Sequence, residues 1–142
     1  MNNHPAADRT IASQLVAGAS RLQTLPKHFG PHHMYVENLV FAFARTLVPT
    51  YRGGYWLFYE LSNGGFYMAP EMSPARVCVE GNGFDGELSA DAIGITVCLF
   101  AFSHASFVLT GQAGETCAHH YTWLREFSWT HGEHSLISAA ID

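Results

Sequence analysis

Hydrophobic and polar positions divide the chain into helical stretches on either side of an aromatic, strand-like centre. From Thr10 to about Leu25, the residues Ile11, Leu15, Ala19 and Leu22 recur at helical spacing. They predict an amphipathic helix, which Pro26 stops. A second helix is predicted from about His33 to Leu47, with Val36, Leu39, Val40, Phe43 and Leu47 as its buried stripe. Phe41 lies off that stripe, so both sides of this helix are expected to be covered. Ser89 is a suitable N-cap, and Asp91 complements the first turn of the helix running to about Leu109. That helix is apolar nearly all round, which marks a central buried helix in preference to a membrane span. Gly111 to Gly114 breaks the pattern. Glu115 to His131 then reads as a helix with Cys117, Tyr121, Leu124 and Ser128 in line and Gly132 at its C-terminal cap. Ser135 to Ile141 forms a short last helix.

The centre is Tyr51 to Pro70, YRGGYWLFYELSNGGFYMAP. Tyr55 to Leu61 is apolar apart from Glu60 and predicts a buried strand. Ser62-Asn63-Gly64-Gly65 follows, and Asn-Gly between apolar runs predicts a type I′ hairpin turn with positive φ at both central residues. Phe66 to Ala69 returns, and Pro70 ends the strand. Arg76 to Glu80 predicts a third strand, and Phe84 to Glu87 either a minor fourth strand or an irregular stretch. The fold class expected is α+β: a small antiparallel sheet of three to four strands, with a central hairpin at about 55–69, packed with four to five helices. Residues 1–142 are expected to form one domain, with residues 1 to about 8 as a frayed arm.

Composition narrows the function. Hydrophobic residues make up 48% of the 142 and charged residues 13%, which excludes a disordered chain. Seven basic residues stand against twelve acidic, for a net charge of −5. The basic residues are scattered and form no DNA-binding cluster. The acids are too few to imitate a duplex, which carries about one negative charge per 1.7 Å of axis. Three unpaired-looking cysteines, Cys78, Cys98 and Cys117, and a polar start without a secretory signal indicate a reduced, cytoplasmic protein.

Candidate chemistry is sparse. Nine histidines include His32-His33, His119-His120 and His131-x-x-His134, but none sits in a metal-ligand spacing. Cys117 and His120, at i, i+3, supply two ligands at most, so no metal or other cofactor is expected. The same two residues are the best nucleophile and base for a small hydrolase, although nearness in sequence is not catalytic geometry; no catalytic set is expected. Glu60 either faces solvent or pairs with Arg52 or Arg76. Polar groups at loop tips are the candidate interaction residues: Arg52, Asn63, Glu71, Asn82, Asp85 and the terminal Asp142.

The central stretch resembles the antirestriction proteins of the ArdB/KlcA family. The match runs through Tyr51, Gly53, Gly54, Trp56, Phe58, Tyr59, Leu61 and Asn63 to Pro70. It continues in Pro26 to Gly30, Gly81-Asn82-Gly83, Glu87 to Ile95 and Ile141-Asp142, so it spans about Leu25 to the end. The resemblance implies a protein from a plasmid or similar mobile element that relieves type I restriction of incoming DNA and leaves methylation largely alone. Its partner would be the type I restriction enzyme or an associated host factor, without catalysis, membrane association or stable sequence-specific DNA binding. The alternatives are a nucleic-acid-binding accessory protein of a mobile element and the Cys117/His120 hydrolase.

Overall fold

The computed structural model describes residues 10–142. The expectation of a frayed arm at residues 1 to 8 falls outside the described residues. The rest is α+β, as the pattern predicts. In order come β1 (Ser13–Leu15), a 3-10 turn (Gly18–Ser20), α1 (Arg21–Phe29), a second 3-10 turn (Gly30–His32) and α2 (His33–Leu47). Then follow β2 (Trp56–Leu61), β3 (Phe66–Pro70), β4 (Ala75–Val79), β5 (Phe84–Leu88), α3 (Ala90–Val108), α4 (Gly111–Ser128) and α5 (His134–Ile141).

The first predicted helix is half wrong. Its opening residues form a strand instead: Ser13, Gln14 and Leu15 pair antiparallel with Leu61, Glu60 and Tyr59 of β2. Val16 N–H extends the pairing to Phe58 O at 2.8 Å, and Ser62 N–H reaches Ala12 O at 2.9 Å. The free edge of β2 needs backbone partners, and this demand overrides the local helical pattern. Leu15 and Leu22, placed in the core by the pattern, are both exposed. Pro26 does not stop α1 but lies inside it. Its missing N–H leaves the carbonyl of Leu22 without a helical partner, and Leu22 is fully open to water. Thr24, Leu25 and Phe29 form the buried face.

The hairpin forms in the predicted place with a different turn. Asn63 does not have positive φ; among the described residues only glycines do, including Gly64 at +100°. Gly64 N–H bonds Leu61 O at 3.0 Å and Leu61 N–H bonds Gly65 O at 2.9 Å, closing a three-residue loop with glycine at the left-handed position. Trp56, Phe58 and Glu60 share one face with their cross-strand partners Pro70, Met68 and Phe66. Helices α1 and α2 cover that face through Phe29 on Phe66 and Phe41 on Trp56. On the other face Tyr59 stacks on Tyr67 at 4.8 Å, and Tyr67 on Phe127 of α4 at 5.7 Å.

The four later strands do not make one sheet. β1-β2-β3 is one sheet, and β4-β5 is a separate two-stranded ribbon. The reason lies at the free edge of β3, which α3 occupies. Gly94 sits directly on Ala69 and the Met68 carbonyl, and Cys98 Sγ donates to Met68 O at 3.5 Å. A helix seated there leaves β4 no edge to join. The ribbon instead buries Ala75, Val77, Val79 and Leu88 and presents Arg76, Asp85 and Glu87 to water.

Ser89 caps α3 as expected, its hydroxyl accepting from Ala92 N–H at 3.2 Å. The helix is buried on every side from Ala92 to Leu99 and is the centre of the core, while its last turn, with Phe107 and Val108, is exposed. The following break is confined to Leu109 and Thr110, because α4 starts at Gly111 and not at Glu115. It ends at Ser128, so His131 and Gly132 belong to the connection before α5 and Gly132 is no cap.

A Cβ at position 94 would lie 2.5 Å from Ala69 Cα and from Met68 O. Gly94→Ala is therefore expected to cost about 1–3 kcal/mol by overpacking. Gly132→Ala, with no atom within 4 Å of the new carbon, should lie within about 0.5 kcal/mol of the parent. Urea unfolding midpoints of the two variants check the difference.

Candidate functional site

The main cluster of polar chemistry forms where α1, the hairpin and α4 meet. Glu60 projects from β2 toward α1. Its Oε2 accepts from Lys27 Nζ at 2.8 Å and its Oε1 from His28 Nε2 at 2.8 Å. This corrects the expected choice for Glu60 between solvent and Arg52 or Arg76. The pattern did mark Glu60 as costly in an apolar strand, and α1 supplies the compensation. Partial burial by itself would raise the Glu60 carboxyl, but the hydrogen bonds from Lys27 and His28 outweigh it and hold it below the usual range. His28 is pulled down by burial against the opposing pull of Glu60, so at neutral pH it donates as an uncharged ring and Lys27 carries the positive charge.

Behind this pair lies His120 of α4, 2% exposed. Its ring meets His28 edge-on at 4.8 Å and packs beside Phe29 at 4.6 Å and Trp123 at 5.2 Å. Its Nδ1 has no hydrogen-bond partner among the described residues. Burial pushes its pKa down to about 3, so the ring is neutral. A notch of about 250 Å3 opens beside it, lined by Lys27, His28, Gly64, Thr116, His119 and Trp123. Asn63 fastens the hairpin tip to this corner. Its Nδ2 donates to Trp123 O at 3.0 Å and its Oδ1 accepts from Gly65 N–H at 3.0 Å.

A second network clasps the start of α3. Tyr67 Oη donates to Asp91 Oδ1 at 2.7 Å, and His131 Nε2 donates to Asp91 Oδ2 at 2.8 Å. Glu133 N–H donates to His131 Nδ1 at 3.0 Å, and the Glu133 carboxylate accepts from both the N–H and the hydroxyl of Ser89. Burial alone would raise Asp91, but the bonds from His131 and Tyr67 hold it below the usual range. The Asp91 bond pulls His131 upward in turn.

The six loop residues proposed for interaction do not converge. Arg52 and Glu71 lie at the open end of the hairpin, and Asn63 lies at its tip. Arg52 donates to Pro49 O and Tyr51 O, and the Glu71 side chain is exposed. Asn82 holds the end of α5 through Ala140 O at 2.9 Å, which brings it near Asp142. Asp85 is bonded by Arg76 at 2.8 and 2.7 Å. Asn63, Asn82 and Asp85 thus have structural work already. No group of three or more potential metal ligands occurs among the described residues. Cys117 is buried and its thiol is pushed up to about 11, while His120 is pushed far down. This is the reverse of the thiolate–imidazolium pair a cysteine nucleophile needs.

A family profile described as antirestriction protein matches residues 49–142. KlcA of Escherichia coli, an antirestriction protein, is 44% identical over 138 residues, covering 95% of this chain and 97% of that protein. The chain belongs to the ArdB/KlcA family of antirestriction proteins. A second KlcA from the same species is 46% identical over 137 residues, covering 93% of this chain and 94% of its own length. A solved KlcA and ArdB structure matches with a TM-score of 0.85 at 44% identity, covering 100% of both chains. The family profile includes Glu60, Asp91 and His120 but begins after α1. The Lys27 and His28 side of the cluster therefore belongs to the part of this antirestriction protein that the profile leaves out.

Two outcomes separate scaffold from surface. Asn63→Ala removes bonds to both Trp123 O and Gly65 N–H and should cost about 1–3 kcal/mol, whereas Glu71→Ala should be near neutral; chemical denaturation reads both. The second concerns pH. The folded pKa of His120, about 3, lies below its ordinary 6.5, so the unfolded chain binds the extra proton first. Stability from this group is full above about pH 6.5 and is lost as pH falls toward 3. His120→Phe keeps a ring in the aromatic box and should flatten that acid-side slope, as unfolding midpoints across this range will show.

Proposed function

We propose that this protein relieves type I restriction of incoming DNA through protein contacts, without catalysis, a cofactor or DNA mimicry, and that it acts in the cytoplasm. The observation that carries the reading is the whole-length likeness to KlcA and ArdB, whose solved structure is described with antirestriction activity against type I DNA restriction systems in vivo but not in vitro. An activity present in cells and absent from purified mixtures favours a route through a host factor over a direct grip on the restriction enzyme. The charge balance supports contact with protein over contact with DNA. At −5 the chain repels a duplex, and Arg52, Arg76 and Lys27 are already engaged within the fold. Glu71 and Asp142, both exposed, are the candidate contact residues from the loop set that the fold leaves most open.

Unmodified phage plated on cells with an active type I system should form more plaques when this protein is expressed, with methylation of the progeny intact. The double variant Cys117→Ala/His120→Ala, if it accumulates in soluble form, should give the same relief; its loss would favour the hydrolase instead. Unchanged plating across several type I systems, with soluble protein present, would sink the proposal.

A further inference from the structure

The strongest unassigned surface is on the outer side of α1. Arg21, the first residue of that helix, lays its guanidinium over two aromatic rings, 4.4 Å from the centroid of Tyr55 and 4.2 Å from that of Phe58. Stacking on ring faces fixes the plane of the guanidinium and leaves its N–H edge available for a planar acceptor. Among the described residues, no hydrogen bond or ion pair uses that edge. The contrast with the other cations is direct: Arg52 is spent on backbone carbonyls, Arg76 on Asp85, Arg125 on Ser128 and Ser138, and Lys27 on Glu60. Arg45 is also without such a partner among the described residues, but no aromatic ring among them lies beneath it.

The setting of Arg21 is apolar. Leu22 is 89% exposed, Tyr55 54% and Met34 63%. A cleft of about 240 Å3 runs between α1 and α2, with Arg21, Leu22 and Phe58 on its walls and His33 and Glu37 opposite. A pre-set arginine beside exposed leucine and tyrosine has the composition of an interface anchor. The charge decides what it takes. A duplex or a phosphate tract needs several cations in a row, whereas this site has one free cation, a nearby carboxylate in Glu37 and a negative chain behind it. A single carboxylate set among apolar residues fits, with a backbone or side-chain donor facing Glu37.

We infer that the Arg21–Leu22–Tyr55 surface docks an acidic side chain carried on an apolar segment of a protein partner, with the carboxylate forked on Arg21 and its apolar neighbours on Leu22 and Tyr55. This names a surface for the protein contact proposed above and rests on that reading. It also centres the contact on α1 and the open end of the hairpin, where Glu71 N–H bonds Tyr55 O at 2.8 Å.

The test uses the full chain in restricting cells. Arg21→Glu reverses the charge, and Leu22→Asp changes a side chain too exposed to affect folding. Each should reduce relief of restriction at least about tenfold, with unfolding midpoints within about 0.5 kcal/mol of the parent for Leu22→Asp. A photo-crosslinking residue at position 22 should join to a protein, and the crosslinked peptide should contain an Asp or Glu. Changing that acid to Arg in the partner should restore relief by the Arg21→Glu variant. Full relief by both variants overturns the inference while the functional reading stands. Absence of relief by the parent chain defeats that reading, and crosslinking then decides the surface separately: no protein adduct, or one on a segment without acid, overturns the inference. Salt-sensitive duplex retention by the parent that Arg21→Glu abolishes also overturns it, in favour of phosphate.

Discussion

The close approach of α3 to the edge of β3 is the constraint on which the rest of the fold depends. It requires a residue without a Cβ at Gly94, and it gives the Met68 carbonyl a partner in the Cys98 thiol. Burial pushes that thiol up to about 12, so it remains a neutral donor. Once the helix is seated, β3 is closed to further strands. The sheet then grows only at its other side, where the segment Ala12–Val16 is recruited, and the β4-β5 ribbon is left to cover α5 and the end of α2. The buried, almost uniformly apolar character of α3 follows from this position between the sheet, α2 and α4.

The recruitment of β1 has consequences for the polar residues. Because the chain spends its first described residues along β2, the helix begins late, at Arg21. That start sets Arg21 over Tyr55 and Phe58, and it sets Lys27 and His28 over Glu60. A helix beginning at Thr10 would have no reason to place these residues there. The carboxylate in the apolar strand and its two donors on α1, the Lys27 ammonium and the neutral His28 ring, are therefore two halves of one solution to holding Glu60 there. His120 stands behind them as a neutral ring in an aromatic box, so its part in this cluster is packing.

For an antirestriction protein of this family, the arrangement separates scaffold from surface. Asn63, Asn82 and Asp85 sit at turns, and each makes hydrogen bonds within the fold. The least committed polar and apolar groups gather on the outer side of α1, a helix outside the span of the family profile. Recognition by a negatively charged chain through such a surface is a matter of one well-held cation and apolar area, not of a broad electrostatic field.

The sequence by itself determined what depends on local pattern and turn chemistry. The limits of α2, the hairpin at Trp56 to Pro70, the Ser89 cap and the burial of α3 were all legible, because periodicity, glycine and capping residues act within a few positions. The family was legible as well, since its motif lies in that same hairpin. Only the tertiary structure decided β1, the position of Pro26 inside α1, the split into two sheets and the partners of Glu60. Each of these is settled by an unsatisfied group in a distant segment: an open strand edge, a filled strand edge or a buried carboxylate. Spacing along the chain carries no record of such a demand. Arg21 gave no sequence signal for the same reason, since its rings lie more than thirty residues away and meet it only when β1 has delayed the helix.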